Sequence, residues 1–318
     1  MKRLLFIAHR VPYPPDKGER IRAYHEIRVL SRHFRVTLAA PALEPSDADN
    51  AGQLGRWCED VLTAPAGGPA GLLRGAALAA AGRSVSEGYF RSRLLARRVA
   101  ACRPLDLAMG YCSTMLPYLR RAPATRRVLD LVDVDSAKWS HYAERSAWPA
   151  SWLYRREARA VGALERRALA ECDAVFLVSS AEAEALPARD GRVLPVDNGV
   201  DAEHFRPDAA ERVERADLVF TGTMSYRPNV DGVRWFVREV WPGVRRCFPE
   251  AVLAVVGRDP SPAAQKLAET PGVRVTGAVD DVRPYLAGAS AAICPLRMAR
   301  GVQNKVLEAM AMERAVVA

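Results

Sequence analysis

The chain has no C-x-x-C pair. Its six cysteines, at 58, 102, 112, 172, 247 and 294, stand singly in apolar contexts. That excludes a zinc ribbon or a thioredoxin-like motif and fits buried free thiols in a reducing cytosol. The five histidines, at 9, 25, 33, 141 and 204, lack metal-ligand spacing, so no metal is expected. Long hydrophobic runs are also missing. The most apolar stretch, 69–82, is interrupted by Arg74 and is shorter than a membrane span requires. Residues 4–8 are too short for a signal peptide and run directly into His9 and Arg10. They read better as part of a first β-strand, and the chain as a soluble, cytoplasmic protein. Neither G-x-G-x-x-G after that strand nor G-x-x-x-x-G-K-[ST] occurs. Their absence argues against a dehydrogenase and against a P-loop enzyme.

What is present is a chain of 318 residues, 49% hydrophobic and 26% charged, enough for two globular domains with buried cores. The formal net charge of +9 fits anionic partners: nucleic acid, anionic lipid or phosphorylated small molecules. With no zinc-finger spacing and no aromatic-basic RNA signature, no nucleic-acid partner is expected. Short apolar runs of strand length fall at 3–8, 35–40, 60–63, 105–110, 126–131, 174–179, 192–195, 217–221, 251–257, 273–276 and 291–295. Helix-like segments lie between them, for example 20–33, 230–247 and 302–312. This alternation predicts an α/β protein with parallel sheets covered by helices on both faces. Two such units are expected, 1–188 and 189–318. A basic helical stretch, 150–170, carries Arg155, Arg156, Arg159, Arg166 and Arg167 behind Trp152 and Tyr154. It reads either as a face attracted to an anionic membrane surface or as a solvated basic face over an aromatic core stripe. The last residues, 314–318, read as a strand entered but not left, and imply a C-terminal part that is truncated.

Four segments carry the chemistry. After the first strand, HRVPYPPDKGER (9–20) is a proline-stiffened loop ending in Gly18 at a helix start. Such a helix start favours anions such as a diphosphate, and glycine allows close backbone approach, or the segment is an ordinary connecting loop. DLVDVDS (130–136) gathers three acids at a strand end, where ligands of open α/β sheets bind. They could hold acceptor hydroxyls, orient a basic partner, or include a helix cap at Asp135 or Ser136. LVFTGTM (218–224) is a strand ending in a glycine turn with Gly222 and Thr223, and Arg227 follows just before a helix. ARGVQNKVLEAMA (299–311) opens a helix with Val302 and Asn304 at its start, and sets Lys305 one turn before Glu308. That pair could grip the phosphates and ribose hydroxyls of one nucleotide, or form an ordinary surface salt bridge. A further segment, PVDNGVD (195–201), has the Asn198-Gly199 pair expected of a tight turn with positive φ.

At these residues the chain resembles the family 4 retaining glycosyltransferases of the GT-B fold. The segments that carry the likeness are Asn198-Gly199-Val200-Asp201 with Phe205 and Pro207, FTGTMSYRPNVDGVRWF, VVGRDP, VTGAVDDVRPYLAGAS and PLRMARGVQNKVLEAMAMERAVVA, in the family's order. Within the family it looks most like the sugar transferases associated with exosortase (PEP-CTERM) exopolysaccharide systems, through HRVPYPPDKGERIRAYH, DLVDVDSAKW and ARGVQNKVLEAMAM. The resemblance implies two Rossmann-like domains facing across a cleft. The implied activity is a hexosyltransferase-like transfer, with retention, from a nucleotide-diphosphate sugar to a glycan or lipid-linked acceptor in exopolysaccharide or cell-surface glycan synthesis. It also implies no metal or other cofactor, and allows peripheral contact with the inner face of the cytoplasmic membrane. Gly18 and Gly222 would approach the donor, and Arg227 and Lys305 would be the cations on its diphosphate. Glu308 would bind the donor ribose, with Thr223, Val302 and Asn304 also on the donor side. The acceptor would lie near Asp16, Arg20, Asp133 and Asp135.

Two positions depart from the family's pattern. The family often has two glutamates eight positions apart; Glu308 is the second, and Arg300 stands at the first. Glu313 stands where the family often has glycine. No histidine is obvious at the acid-rich strand end. A non-catalytic nucleotide-sugar-binding subunit of a polysaccharide assembly system, or a sugar-nucleotide epimerase on the same fold, are the alternative readings.

Overall fold

The computed structural model describes residues 1–16, 18–186, 191–207, 216–297 and 302–318, so Arg300 lies outside the described residues. The chain divides into two compact units, Met1–Asp197 and Asn198–Ala318. The first holds β1 (Lys2–Ile7), β2 (Phe34–Ala42), β3 (Asp60–Pro65), β4 (Leu105–Tyr111), β5 (Ala124–Val132), β6 (Ala174–Leu177) and β7 (Val193–Pro195). They form one sheet in the order β3-β2-β1-β4-β5-β6-β7, and every neighbouring pair is parallel. The second unit holds β8 (Ala216–Thr221), β9 (Leu253–Val256), β10 (Val273–Gly277), β11 (Ala289–Ile293) and β12 (Ala315–Val317), also all parallel, in the order β10-β9-β8-β11-β12. In both units the chain winds outward from its first strand in one direction, then returns to start again on the other side. The reversal falls between β1 and β4, and between β8 and β11. At such a point the loops at the strands' carboxyl ends part and leave a crevice.

The central strands β1 and β9 are buried on both faces along most of their length, which is why their sequences run apolar rather than alternating. Leu4 and Phe6 of β1 enter one core with Ile27, Val36 and Leu38, while Leu5 and Ile7 enter the opposite one with Leu95, Leu129 and Val175. In the second unit Phe220, Leu253 and Val255 face one way, and Val219, Ala254 and Val256 the other.

Sequence expectation and structure differ at three places. The run at 192–195, expected in the second unit, is the edge strand of the first sheet; Val193, Leu194 and Pro195 pair with Val175, Phe176 and Leu177. The first unit therefore extends to Asp197 instead of ending at 188. The helix expected over 230–247 is a helix Arg227–Trp235, one π-helical turn Phe236–Val240 and a second helix Trp241–Cys247 with proline in its first turn. Gly199 does not take the positive φ expected of Asn198-Gly199; the left-handed glycines lie elsewhere, among them Gly277 at φ +75°.

The end of the helix Asn304–Ala311 shows why one position favours glycine: two residues beyond it, Glu313 has φ +56°. The Glu313 amide donates to the Met310 carbonyl and the Arg314 amide to the Ala309 carbonyl, both at 2.9 Å. These two bonds make a Schellman ending, which places a left-handed residue at that position. A side chain there costs roughly 1–2 kcal/mol, and a glycine returns part of that gain as unfolded-chain entropy, about 0.4–1 kcal/mol. Glu313→Gly should therefore stabilise the protein by about 0.5–1 kcal/mol, measured as a higher urea midpoint at unchanged slope.

Candidate functional site

Each unit has its own cluster of polar groups at the reversal point of its sheet. In the second unit β8 runs into Gly222, whose amide continues the ladder to the Val256 carbonyl at 2.9 Å. Its φ is +154°, and an added Cβ would lie 2.8 Å from Asn229 Nδ2 and 2.9 Å from Lys305 Nζ. Gly257, at the end of β9, is closer still, since a Cβ there would sit 1.8 Å from the Gly222 carbonyl oxygen. Two adjacent strand ends are thus stripped to backbone, and the space is taken by two polar side chains. Asn229 Nδ2 donates to the Thr223 carbonyl (2.9 Å), and its Oδ1 accepts from Lys305 Nζ (2.8 Å).

Lys305 sits in the first turn of the helix Asn304–Ala311, with its ammonium 4.2 Å from the centre of the Phe220 ring. One N–H is bonded to Asn229, and no carboxylate forms an ion pair with it among the described residues. Burial drives its pKa down to about 8, against the weaker pull of Cys294 and Glu308. Glu308, one turn later, has its pKa raised by burial, which Lys305 opposes. An ordinary surface salt bridge is therefore not what these residues form. They are two poorly solvated ionisable groups of opposite sign beside a glycine-lined strand end, an arrangement typical of ligand sites.

The neighbouring expected residues are placed as follows. Asn198 Nδ2 donates to Asn304 Oδ1 (3.3 Å) and to the Val302 carbonyl (3.4 Å), tying 198 to the start of the Lys305 helix. Arg227 is exposed at the first position of the helix Arg227–Trp235. Asn229, Phe220 and Gly257 have no place in the sequence reading of the site. Each nevertheless stands in a segment quoted there, Phe220 in LVFTGTM, Asn229 in the same short motif as Arg227, and Gly257 in VVGRDP.

In the first unit the reversal point lies between His9, just past β1, and Cys112, just past β4. The His9 ring stacks on Tyr111 (5.6 Å between centroids) and meets Phe90 edge-on. Arg10 Nε donates to His9 Nε2 at 3.2 Å, which leaves Nδ1 to carry the proton toward Cys112 Sγ, 3.7 Å away. Burial first, then Arg10, Arg20 and Lys138, push His9 down to about 3, so the ring is neutral at physiological pH. His9 thus stands at the end of β1, with β4 between it and the β5 end that carries the acidic segment.

The acidic segment follows β5. Val132 has φ +69°, an outlier for a β-branched residue, at a register shift of β5 against β6. Asp130, fully buried, fixes it: Oδ1 accepts from the Val132 amide (2.8 Å) and Oδ2 from Arg22 Nε (2.7 Å). Arg22 also donates to the Val196 carbonyl at 2.9 Å and lies 3.2 Å from Glu26, whose pKa is raised well up by burial and then by Asp130. The turn delivers Asp133 and Asp135. Neither Asp135 nor Ser136 caps the following helix Asp135–Glu144; carboxylates from elsewhere take its first amides. Glu182 accepts from Val134 N (2.8 Å) and Glu165 from Ser136 N (2.9 Å). Asp133 is raised to about 6 by burial and then by Glu182 and Asp135. Asp135 is raised by burial against Lys138, whose Nζ is 4.0 Å away.

Gly18 is the exposed first residue of the helix Gly18–Leu30. Arg20, in that helix, is 4% exposed and set among Asp16 (3.5 Å), Glu44 (3.6 Å) and Asp47 (4.0 Å). This ties the 9–16 loop to the segment after β2. Among the described residues no group of His, Cys, Asp or Glu has the arrangement of a metal site.

Because Asp133 binds its proton more tightly folded than unfolded, its burial costs stability once pH rises above its ordinary value, and the full cost is reached above pH 6. Asp133→Asn should therefore stabilise the protein by about 1–3 kcal/mol at about pH 7, an advantage that vanishes below about pH 4. Urea unfolding across that range measures it; equal stability of both proteins at neutral pH would contradict the assignment.

Residues 215–318 match the family described as glycosyl transferases group 1. No curated protein matches the chain by sequence. Among solved structures it is similar to Anabaena Alr3699/HepE in complex with UDP and glucose, with a TM-score of 0.62 and 15% identity over 100% of this chain and 80% of that one. It is also similar to WaaG, a glycosyltransferase involved in lipopolysaccharide biosynthesis (TM-score 0.62, 16% identity, 98% and 80% covered). A glycosyltransferase from Rickettsia africae gives 0.58 at 10% identity, with 99% and 78% covered. At these identities the likeness is one of fold. The chain has the fold of the GT-B glycosyltransferases, two parallel-sheet α/β units, and the second of them matches the group 1 glycosyl transferases.

Proposed function

We propose that this protein is a glycosyltransferase that takes a sugar from a nucleotide-diphosphate donor and transfers it, with retention, to a glycan or lipid-linked acceptor in exopolysaccharide or cell-surface glycan synthesis. The observation that carries the reading is Lys305. A cation held beside a glycine-lined strand end, with no carboxylate partner among the described residues, suits a diphosphate. The UDP and glucose in the Anabaena structure support a uridine-diphosphate sugar as the donor class. The role of WaaG in lipopolysaccharide biosynthesis supports a surface glycan as the product.

As the anomeric carbon–oxygen bond breaks, its electron pair goes to the departing diphosphate, and the acceptor oxygen forms the new bond and gives up its proton to an oxygen of that diphosphate. Charge grows on the phosphate oxygens, so preorganised cations lower the barrier. Lys305 and Arg227 supply those cations in this reading. Glu308 accepts hydrogen bonds from the donor ribose, with Gly222, Thr223, Val302 and Asn304 around it. Asp133 and Asp135, with Asp16 and Arg20, serve the acceptor in the first unit.

The helix Ala150–Glu171 supports contact with an anionic membrane. It exposes Trp152 (55%) and Leu153 beside Arg155 and Arg159, and Trp148 in the preceding loop is 81% exposed. An aromatic core stripe accounts for Tyr154, which packs on Trp139, but not for Trp152. Among the described residues no helix is long and apolar enough to cross a membrane.

Each charge-assisted bond to phosphate contributes roughly 1.5–3 kcal/mol. Lys305→Ala and Arg227→Ala should each lower donor turnover at least about tenfold, and Glu308→Gln should weaken donor binding. Wild-type turnover in Lys305→Ala and Glu308→Gln together would overturn the reading.

A further inference from the structure

In the first unit a cavity of about 570 Å³ is lined by the helix Arg93–Ala100 and the helix Leu116–Leu119. Both pack on one face of the sheet through Leu95, Val99, Leu116 and Leu119. The lining carries Arg83, Arg91, Arg93, Arg97, Arg120 and Arg121. Two are neutralised, Arg83 by Glu87 and Arg120 by Glu171 at 3.0 Å. Arg91, Arg93, Arg97 and Arg121 have no carboxylate partner among the described residues.

The lining is held in place. Tyr118 Oη accepts from the Ser92 amide (2.6 Å) and donates to the Phe90 carbonyl (2.9 Å), fixing the turn that carries Arg91 and Arg93. Ser92 caps the helix that carries Arg93 and Arg97. Thr114 also lines the cavity; it is 7% exposed, and its Oγ1 has no hydrogen-bond partner. Four unneutralised guanidinium groups around one concavity repel each other, and a buried unpaired hydroxyl is a further cost. One polyanionic ligand removes both. Arginine forks match phosphate oxygens two at a time, and Thr114 can donate to another.

We propose that this cavity binds a compact oligophosphate, a molecule with two or more linked phosphate groups. A single phosphate group carries about two negative charges at most, too few to balance four cations spread from the 91–97 segment to Arg121. A linked chain of phosphates supplies both the charge and the span. The site is separate from the one around Lys305, and the inference does not rest on the sugar-transfer reading.

The test is calorimetric titration of the full chain with inorganic tripolyphosphate at low salt, in a Lys305→Met background that silences the second unit's cation. One equivalent should bind. Arg93→Gln, Arg97→Gln and Arg121→Gln should weaken it about tenfold each, and Thr114→Val several-fold. These arginines are exposed, so the variants should melt like the parent. A second arm uses phosphatidylcholine vesicles carrying a polyprenyl diphosphate. Capture that tripolyphosphate reverses, and that the triple arginine variant loses, identifies a lipid headgroup as the ligand. Binding of tripolyphosphate without capture identifies a soluble one. No binding in the Lys305→Met background, affinity unchanged in the triple variant, or orthophosphate binding as tightly as tripolyphosphate would each overturn the proposal.

Discussion

A lysine taken largely out of water, with no carboxylate among the described residues to meet it, sets the terms for the second unit. Lys305 keeps its charge through one bond to Asn229 and the face of Phe220, and its pKa of about 8 records how incomplete that compensation is. The surroundings are arranged to allow this. Gly222 and Gly257 have no side chains where side chains would collide, and Asn229 is itself anchored to the Thr223 carbonyl. Nothing in the packing of a core requires a cation at that point. An anion would complete the site, and the sheet's reversal point puts that unmatched charge where open α/β folds take their ligands.

The first unit solves a related problem with acids. Asp130 holds Val132 in a strained conformation and is itself held by Arg22. The strain turns the chain at the end of β5, so that Asp133 and Asp135 emerge beside one another. Foreign carboxylates, Glu165 and Glu182, do the capping that these two acids would otherwise do. The raised pKa of Asp133, about 6, marks a position that stability alone would fill with a neutral residue.

Much of this is legible in the sequence because strand ends announce themselves. Continuous apolar runs bounded by glycine or acid mark the strands, and Gly222, Asp133 and Asp135 are visible as the glycine and acids at those bounds, while Lys305 and Glu308 are visible as the charged pair one turn apart in the helix Asn304–Ala311. The edge strand 193–195 is easily placed in the wrong unit because three residues of pairing leave no period to read. Asn198-Gly199 misleads because the pair is held by Asn198's side-chain bonds to the Lys305 helix rather than by a left-handed glycine. His9 escapes notice because its partners, Tyr111 and Cys112, are more than a hundred residues away and meet it only through the pairing of β1 with β4. Glu313 is the opposite case, where a departure from a family's glycine coincides with a measurable positive φ.

The claim that Lys305 is placed to meet an anion is tested most directly by the protons that move when one binds. Titration calorimetry of UDP at about pH 8, repeated in buffers of different ionisation enthalpy, counts them. A lysine half-protonated when free and fully protonated beside a diphosphate takes up about half a proton, and Lys305→Met should take up none. UDP binding with no proton uptake, or with the same uptake in Lys305→Met, would contradict the account.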